Sequence, residues 1–203
     1  MNNKDWTGDL NSMWVTTGAT GHGRSEREKH DYYATEPKAT EVLLENETFN
    51  HNVWECACGA GHIARELSKV GHNVFATDLI YRGYGLKIPL DFLKVELEKD
   101  MKYNGDIITN PPYRYALEFA QKALDIVQTG NKVAMFLKLT FMESQKRKKF
   151  FKKNPPKVIY VSSSRLTCAK NGDFKRYKQG AIAYAWYVWE KGYKGETVIK
   201  WVN

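Results

Sequence analysis

Cysteine is scarce in this chain: Cys56, Cys58 and Cys168 are all there is in 203 residues. So small and odd a number cannot build a disulfide framework, which points to a reducing, cytoplasmic setting. Long apolar runs are missing too. No stretch is long enough to span a bilayer, and the residues after Met1 lack the charged-then-apolar order of a signal peptide, so no membrane partner is expected. There is no internal repeat, which excludes solenoids and propellers. Acid is missing from one region in particular. Residues 138 to 178 hold 13 Lys or Arg against only Glu143 and Asp173, a local charge of +11 within a total of +8 that leaves −3 for the remainder. Charge so concentrated marks a polyanion-binding surface more than a device for solubility.

The length suits one domain with a proper core. Residues 1–30 are polar and follow neither a helical nor a strand period, as in Thr16-Thr17-Gly18-Ala19-Thr20-Gly21-His22-Gly23. They are expected to form a flexible arm in which His22 and His30 are solvated. Residues 31–203 would then form the single folded domain.

What is present is a pair of ordered motifs. The apolar run Asp106-Ile107-Ile108-Thr109 ends in Asn110-Pro111-Pro112-Tyr113. A heteroaromatic exocyclic amine is a poor nucleophile because its lone pair is delocalised, and acceptors on both N–H groups draw it toward tetrahedral geometry. Asn110 offers a side-chain oxygen and Pro111 a carbonyl, and the two prolines stiffen the arc in which these acceptors stand. Tyr113 offers a ring on which an extruded base can stack. Asn154-Pro155-Pro156-Lys157 repeats the first three residues but follows a basic helical stretch and lacks the aromatic, so it reads as a helix stop.

The second motif, Glu55-Cys56-Ala57-Cys58-Gly59-Ala60-Gly61-His62, lies between a predicted strand and a helix with Ile63, Leu67 and Val70 on one face. Glycines there allow close approach of backbone to a ligand, and the helix N-terminus presents free N–H groups to an anion. A second strand, Asn73 to Thr77, ends in Asp78, 23 residues beyond Glu55. An acid at that strand end is placed to accept from both hydroxyls of a ribose. Cys56, Cys58 and His62 match no usual zinc spacing and read as packing residues, so no metal is expected.

Loop, ribose acid and Asn-Pro-Pro-Tyr in this order resemble the S-adenosylmethionine-dependent amino-methyltransferases, most closely the small phage or mobile-element adenine-N6 DNA enzymes. The likeness covers roughly residues 31 to 201, and it includes Asp31-Tyr32-Tyr33-Ala34-Thr35-Glu36-Pro37 and Ala185-Trp186-Tyr187-Val188-Trp189-Glu190-Lys191-Gly192. It implies a cofactor site of Thr35, Glu55, Cys56, Ala57, Gly59, Gly61, Asp78, Leu79, Asp91, Phe92 and Asn110, and catalysis by Asn110, Pro111, Pro112 and Tyr113. The segment Asp31 to Pro37, which contains Thr35, would touch the methionine end of S-adenosylmethionine, and Asp91 and Phe92 its adenine. No separate target-recognition domain is visible. The implied substrate is DNA and the implied state a monomer or weak dimer. RNA bases, a glutamine amide of a protein, or nucleic-acid binding without catalysis are the other readings that the residues leave open.

Alternating elements complete the picture: helices over Pro37 to Glu47, Arg114 to Gln128 and Glu143 to Lys153, and strands over Lys132 to Leu137, Val158 to Ser163 and Ala181 to Trp189. They predict an α/β, Rossmann-like sheet covered on both faces. By resemblance the sheet has seven strands, the inserted Ala181 to Trp189 running antiparallel. The basic helix carries Phe150 and Phe151, which serve either base stacking or the core. The insert Ser164 to Gly180 turns at Asn171-Gly172-Asp173-Phe174 and would hold an aromatic ring and basic residues near the strand ends. Tyr113, Lys138, Arg165, Phe174, Lys175, Arg176 and Lys178 are the candidate nucleic-acid contacts.

Overall fold

The computed structural model describes residues 32–170, 172, 174 and 182–203. The expected flexible arm and the candidate contacts Lys175, Arg176 and Lys178 lie outside the described residues.

Seven strands form one sheet in the order β3-β2-β4-β5-β8-β6-β9. They are β2 (Asn52–Glu55), β3 (Asn73–Ala76), β4 (Asp106–Thr109), β5 (Lys132–Lys138), β6 (Val158–Ser162), β8 (Tyr184–Glu190) and β9 (Val198–Val202). All run parallel except β8, which pairs antiparallel with both β5 and β6. The expected inserted antiparallel strand is therefore present, at Tyr184–Glu190. The seventh strand was not legible residue by residue: it is β9, parallel to β6 on the outer edge. Among the described residues four helices flank the sheet: α1 (Pro37–Asn46), α2 (His62–Lys69), α3 (Ala116–Ile126) and α4 (Gln145–Lys153). A separate antiparallel pair, β1 (Tyr33–Thr35) with β7 (Cys168–Lys170), was also not foreseen.

Local chemistry explains these boundaries. Pro37 opens α1, where its missing N–H costs nothing. The preceding Glu36 exchanges two bonds with Thr167: its N–H donates to the Thr167 carbonyl at 3.1 Å and its carboxylate accepts from the Thr167 N–H at 2.7 Å. That clasp carries β1 to β7. All four residues of β4 are buried, as a central parallel strand requires. Asp106 at its start accepts from the backbone N–H groups of Asn50 and Lys132, both at 2.6 Å, and so ties the beginnings of three strands together. Asn154 caps the C-terminus of α4, which ends at Lys153 as the second Asn-Pro-Pro predicts.

Alternation along the strands divides the core in two. Trp54, Ile107, Met135, Ile159, Tyr187 and Trp189 face α3 and α4. Val53, Ile108, Ala134, Phe136, Tyr160 and Trp186 face α1 and α2. Three buried indoles satisfy their N–H groups, Trp186 on the Ala39 carbonyl at 2.7 Å, Trp189 on the Asn154 carbonyl at 3.1 Å and Trp54 on the Thr77 hydroxyl at 2.9 Å. Phe150 is buried and packs edge-on against Trp189, while Phe151 is half-buried against Phe141. Phe150 therefore belongs to the core, and Phe151 packs against its edge.

Candidate active site

The C-terminal ends of β2, β3 and β4 open on one cavity of about 450 Å³, the size of a nucleoside-bearing ligand. Its lining includes Thr35, Glu55, Cys56, Ala57, Asp78, Leu79, Asp91 and Phe92, and the whole of Asn110, Pro111, Pro112 and Tyr113. Residues far apart in sequence thus meet here because a parallel sheet delivers successive strand ends to one side.

At one end stands Asp78. One carboxylate oxygen accepts from the Gly59 N–H at 2.8 Å; the other accepts from the Ile80 N–H at 2.8 Å and from Arg82 at 3.1 Å. The Arg82 guanidinium also lies 4.4 Å from the centre of the Tyr32 ring, and the Tyr32 hydroxyl accepts from the Ala60 N–H at 3.2 Å. Gly59 and Gly61 have φ of +53° and +80°, which other residues adopt only under strain. They do not line the cavity directly. A side chain at Gly59 would strike the Tyr32 ring and one at Gly61 the Tyr84 ring, so the close approach they permit in this structure is to tyrosines.

Glu55 forms the floor. It is fully buried, one carboxylate oxygen has no hydrogen-bond partner, and burial first, then the nearby Asp78, pushes its carboxyl well above the usual carboxylate range. The backbone of Ala64 in α2 supplies its one compensating bond. Cys56 and Cys58 are buried beside it, and burial raises both thiols, Cys58 to about 12. No cluster able to hold a metal ion occurs among the described residues. Asp91 turns its carboxylate back to its own 3-10 turn, accepting from the Leu93 N–H at 3.1 Å, and Phe92 stacks into the core against Trp54 and Phe119. Leu79 is exposed at the rim.

At the other end the Asn110 amide is locked. Its nitrogen donates to the Tyr33 carbonyl at 3.0 Å and to the Thr35 hydroxyl at 2.9 Å, with the Cys168 sulfur at 3.6 Å. A carbonyl can only accept, so this contact fixes which end of the amide is nitrogen. The remaining oxygen, Asn110 Oδ1, is buried and has no partner. Tyr113 donates to Cys168 at 3.1 Å, its ring lies near those of Tyr33 and Tyr184, and Lys138 sits 4.9 Å from its centre. Burial holds the Cys168 thiol at about 12 and raises the Tyr113 phenol well above its ordinary range, so both stay protonated.

Of the other candidates, Arg165 is exposed in the segment leading to β7. Phe174 packs edge-on to His62, with ring centres 5.5 Å apart, at the start of α2 and beside the cavity. Tyr32 and Tyr33 lie in the segment expected to touch the cofactor, and both line the cavity; sequence reasoning missed Arg82, His62 and Cys168 as residues of this site. The short alternation around Tyr33 was the available signal for a strand; nothing local announces that Cys168 pairs beside it.

No protein-family model matches the chain, and no curated protein matches it in sequence. Its fold is that of the class I methyltransferases. A protein assigned as a class I S-adenosylmethionine-dependent methyltransferase from Listeria monocytogenes aligns over 81% of this chain and 62% of its own, at 14% identity and a TM-score of 0.53. One assigned as the modification subunit of a type I restriction enzyme from Vibrio vulnificus aligns over 93% of this chain and 48% of its own, at 14% identity and TM-score 0.56. An Agrobacterium tumefaciens protein assigned as an O-methyltransferase aligns over 82% and 85%, at 11% identity and TM-score 0.55.

Proposed function

We propose that the protein transfers a methyl group from S-adenosylmethionine to the N6 amine of adenine in DNA. The observation that carries this reading is the unpartnered Asn110 Oδ1. A buried acceptor without a partner costs about 1–3 kcal/mol, and a donor bound there recovers it. With its nitrogen fixed by Tyr33 and Thr35, the Asn110 side chain presents that acceptor without reorganising.

The cavity fits the cofactor on the same kind of evidence. Glu55 leaves a buried oxygen unpaired, which suits a cationic amino group, and Asp78 stands where a ribose would be held. When bound, S-adenosylmethionine supplies an electrophilic methyl group. Every other part is played by the chain. Asn110 Oδ1 and the Pro111 carbonyl accept from the two N–H groups of the amine, localising its lone pair. Tyr113, held by Cys168 and flanked by Lys138, steadies the base against its ring. The aromatic and apolar walls exclude water from the reacting centre. The nitrogen becomes cationic as it is alkylated, is strongly acidic in that state, and gives its proton to solvent once the methylated base leaves the pocket, so no strong general base is needed.

The test is transfer of labelled methyl to DNA, RNA and protein side by side, followed by nucleoside analysis. N6-methyladenine in DNA is expected; label confined to RNA or protein would replace the substrate, and no label in any acceptor would end the reading.

A further inference from the structure

The basic helix α4 turns Phe150 into the core, and the most exposed large apolar ring on the same face of the sheet comes from elsewhere. Trp201, in the unforeseen strand β9, is 72% exposed, more than any other large apolar side chain described. Ile199 and Trp201 pair in register with Ile159 and Val161 of β6, and register partners point to the same face. Ile159 and Val161 pack in the cluster that holds Phe150 and Phe151 of α4, so Ile199 and Trp201 share the α4 face, one strand further out.

The orientation of α4 follows from one ion pair. Lys146 reaches Glu118 of α3 at 3.1 Å, so that flank faces α3. At roughly 100° per residue, Lys148 and Lys152 fall on the opposite flank of the helix. A surface depression between α4 and the turn that follows β5 is lined by Met142, Ser144, Gln145, Lys148, Phe151 and Lys152. None of Lys148, Lys149, Lys152 or Lys153 has an acidic partner among the described residues.

We propose that this groove on α4 and the exposed Trp201 of β9, on the same face of the sheet, together form a second nucleic-acid-binding surface, which grips substrate flanking the target base; the proposal rests on the nucleic-acid reading of the active site. Lysines without counter-charges meet phosphates, and Trp201 stacks on a base or packs on a sugar. The position is suitable. β4, β6 and β9 run parallel, so Trp201 near the end of β9 emerges on the same side of the sheet as Asn110, four strands away. At about 4.8 Å per strand that is roughly 19 Å, the rise of about five or six base pairs. A second copy of the chain is the poorer occupant, because a two-fold contact would set the same unpaired lysines against each other.

The experiment compares Trp201→Ala, Trp201→Phe and the double variant Lys148→Gln/Lys152→Gln, using fluorescein-labelled duplex and single-stranded DNA over a range of salt. Trp201→Ala is expected to weaken binding about tenfold, within the span for loss of one stacking ring, and Trp201→Phe to restore most of it. The double lysine variant should reduce the slope of log affinity against log salt by about two. Melting temperature and affinity for the demethylated cofactor product serve as controls for folding, and neither should move. Unchanged DNA affinity and salt slope in variants of an enzyme that methylates DNA would overturn the surface and leave the function standing. A dimer that becomes monomeric in Trp201→Ala, with DNA affinity intact, would assign the groove to a second copy instead. If the wild type neither binds nor methylates nucleic acid, the functional reading itself falls, and this surface with it.

Discussion

The two ends of the cavity are built on opposite plans. Asp78 has both oxygens occupied by the chain, through Gly59, Ile80 and Arg82, whereas Asn110 has its nitrogen doubly bound and its oxygen left without a partner. The first end is stable as it stands, and a ligand must share or displace what is there. The second is held in a state that only a donor completes. Binding energy is therefore expected to come mainly from the Asp78 end and rate from the Asn110 end, the division that makes an interaction useful in the transition state rather than in the ground state.

The sharpest way to break that division is Asn110→Ala. Turnover should fall about a hundredfold or more, the scale for removing a preorganised polar group at the reacting centre. Cofactor affinity should stay within a few-fold, as read by single-turnover transfer and calorimetric titration on one preparation. Equal losses in both would give Asn110 a structural role in joining β4 to β1.

Asp78→Ala should do the reverse. Loss of charge-assisted bonds worth about 1.5–3 kcal/mol predicts cofactor binding roughly ten- to a hundredfold weaker. The rise in melting temperature on adding the demethylated product should largely vanish. Transfer at saturating cofactor should fall much less.

Glu55 sharpens the comparison through pH. Its carboxyl is raised in the folded protein, so the folded state holds the proton more tightly than the unfolded chain. This contribution to stability is complete below the unfolded carboxylate pKa of about 4.3, and it is lost as pH rises through the higher folded value. Melting of the free protein should therefore show a downward component with rising pH that Glu55→Gln removes. Bound cofactor, by supplying a cation to the floor, should suppress the same component in the wild type. A pH profile identical in both proteins would mean that the buried carboxyl is already compensated.

The smallest effect is expected at Cys168. Cys168→Ser keeps an acceptor for Tyr113 and a partner for the Asn110 nitrogen, so turnover should change less than about threefold, in keeping with one hydrogen bond of about 0.5–1.5 kcal/mol exchanged for another. The half-buried, protonated thiol should also react slowly with alkylating reagents at neutral pH in the folded protein. Rapid labelling with retained structure would show that β7 leaves β1 readily.

Much of this design was legible in the residues. Pro37 at a helix start, the all-apolar Ile107-Ile108, the helical spacing of Ile63 and Leu67, and the Asn-Pro-Pro that stops α4 are local signals, written by steric limits and hydrophobic period within one or two turns of chain. The ordering of glycine loop, Asp78 and Asn110 along the chain also suffices to predict that they meet, because parallel strands bring their C-terminal ends to one side. The sequence by itself thus determined six of the seven strands and the end of the sheet at which the loop, Asp78 and Asn110 meet. Only the tertiary structure decided what each pole touches. Tyr33 and Thr35 orient Asn110 across some 75 residues of chain, Arg82 and Tyr32 close over Asp78, Phe150 turns inward while Trp201 turns out, and a three-residue strand pairs with Cys168. Contacts of this kind have no period and no local propensity. They arise when distant segments compete for the same buried surface, and only the packed core settles that competition.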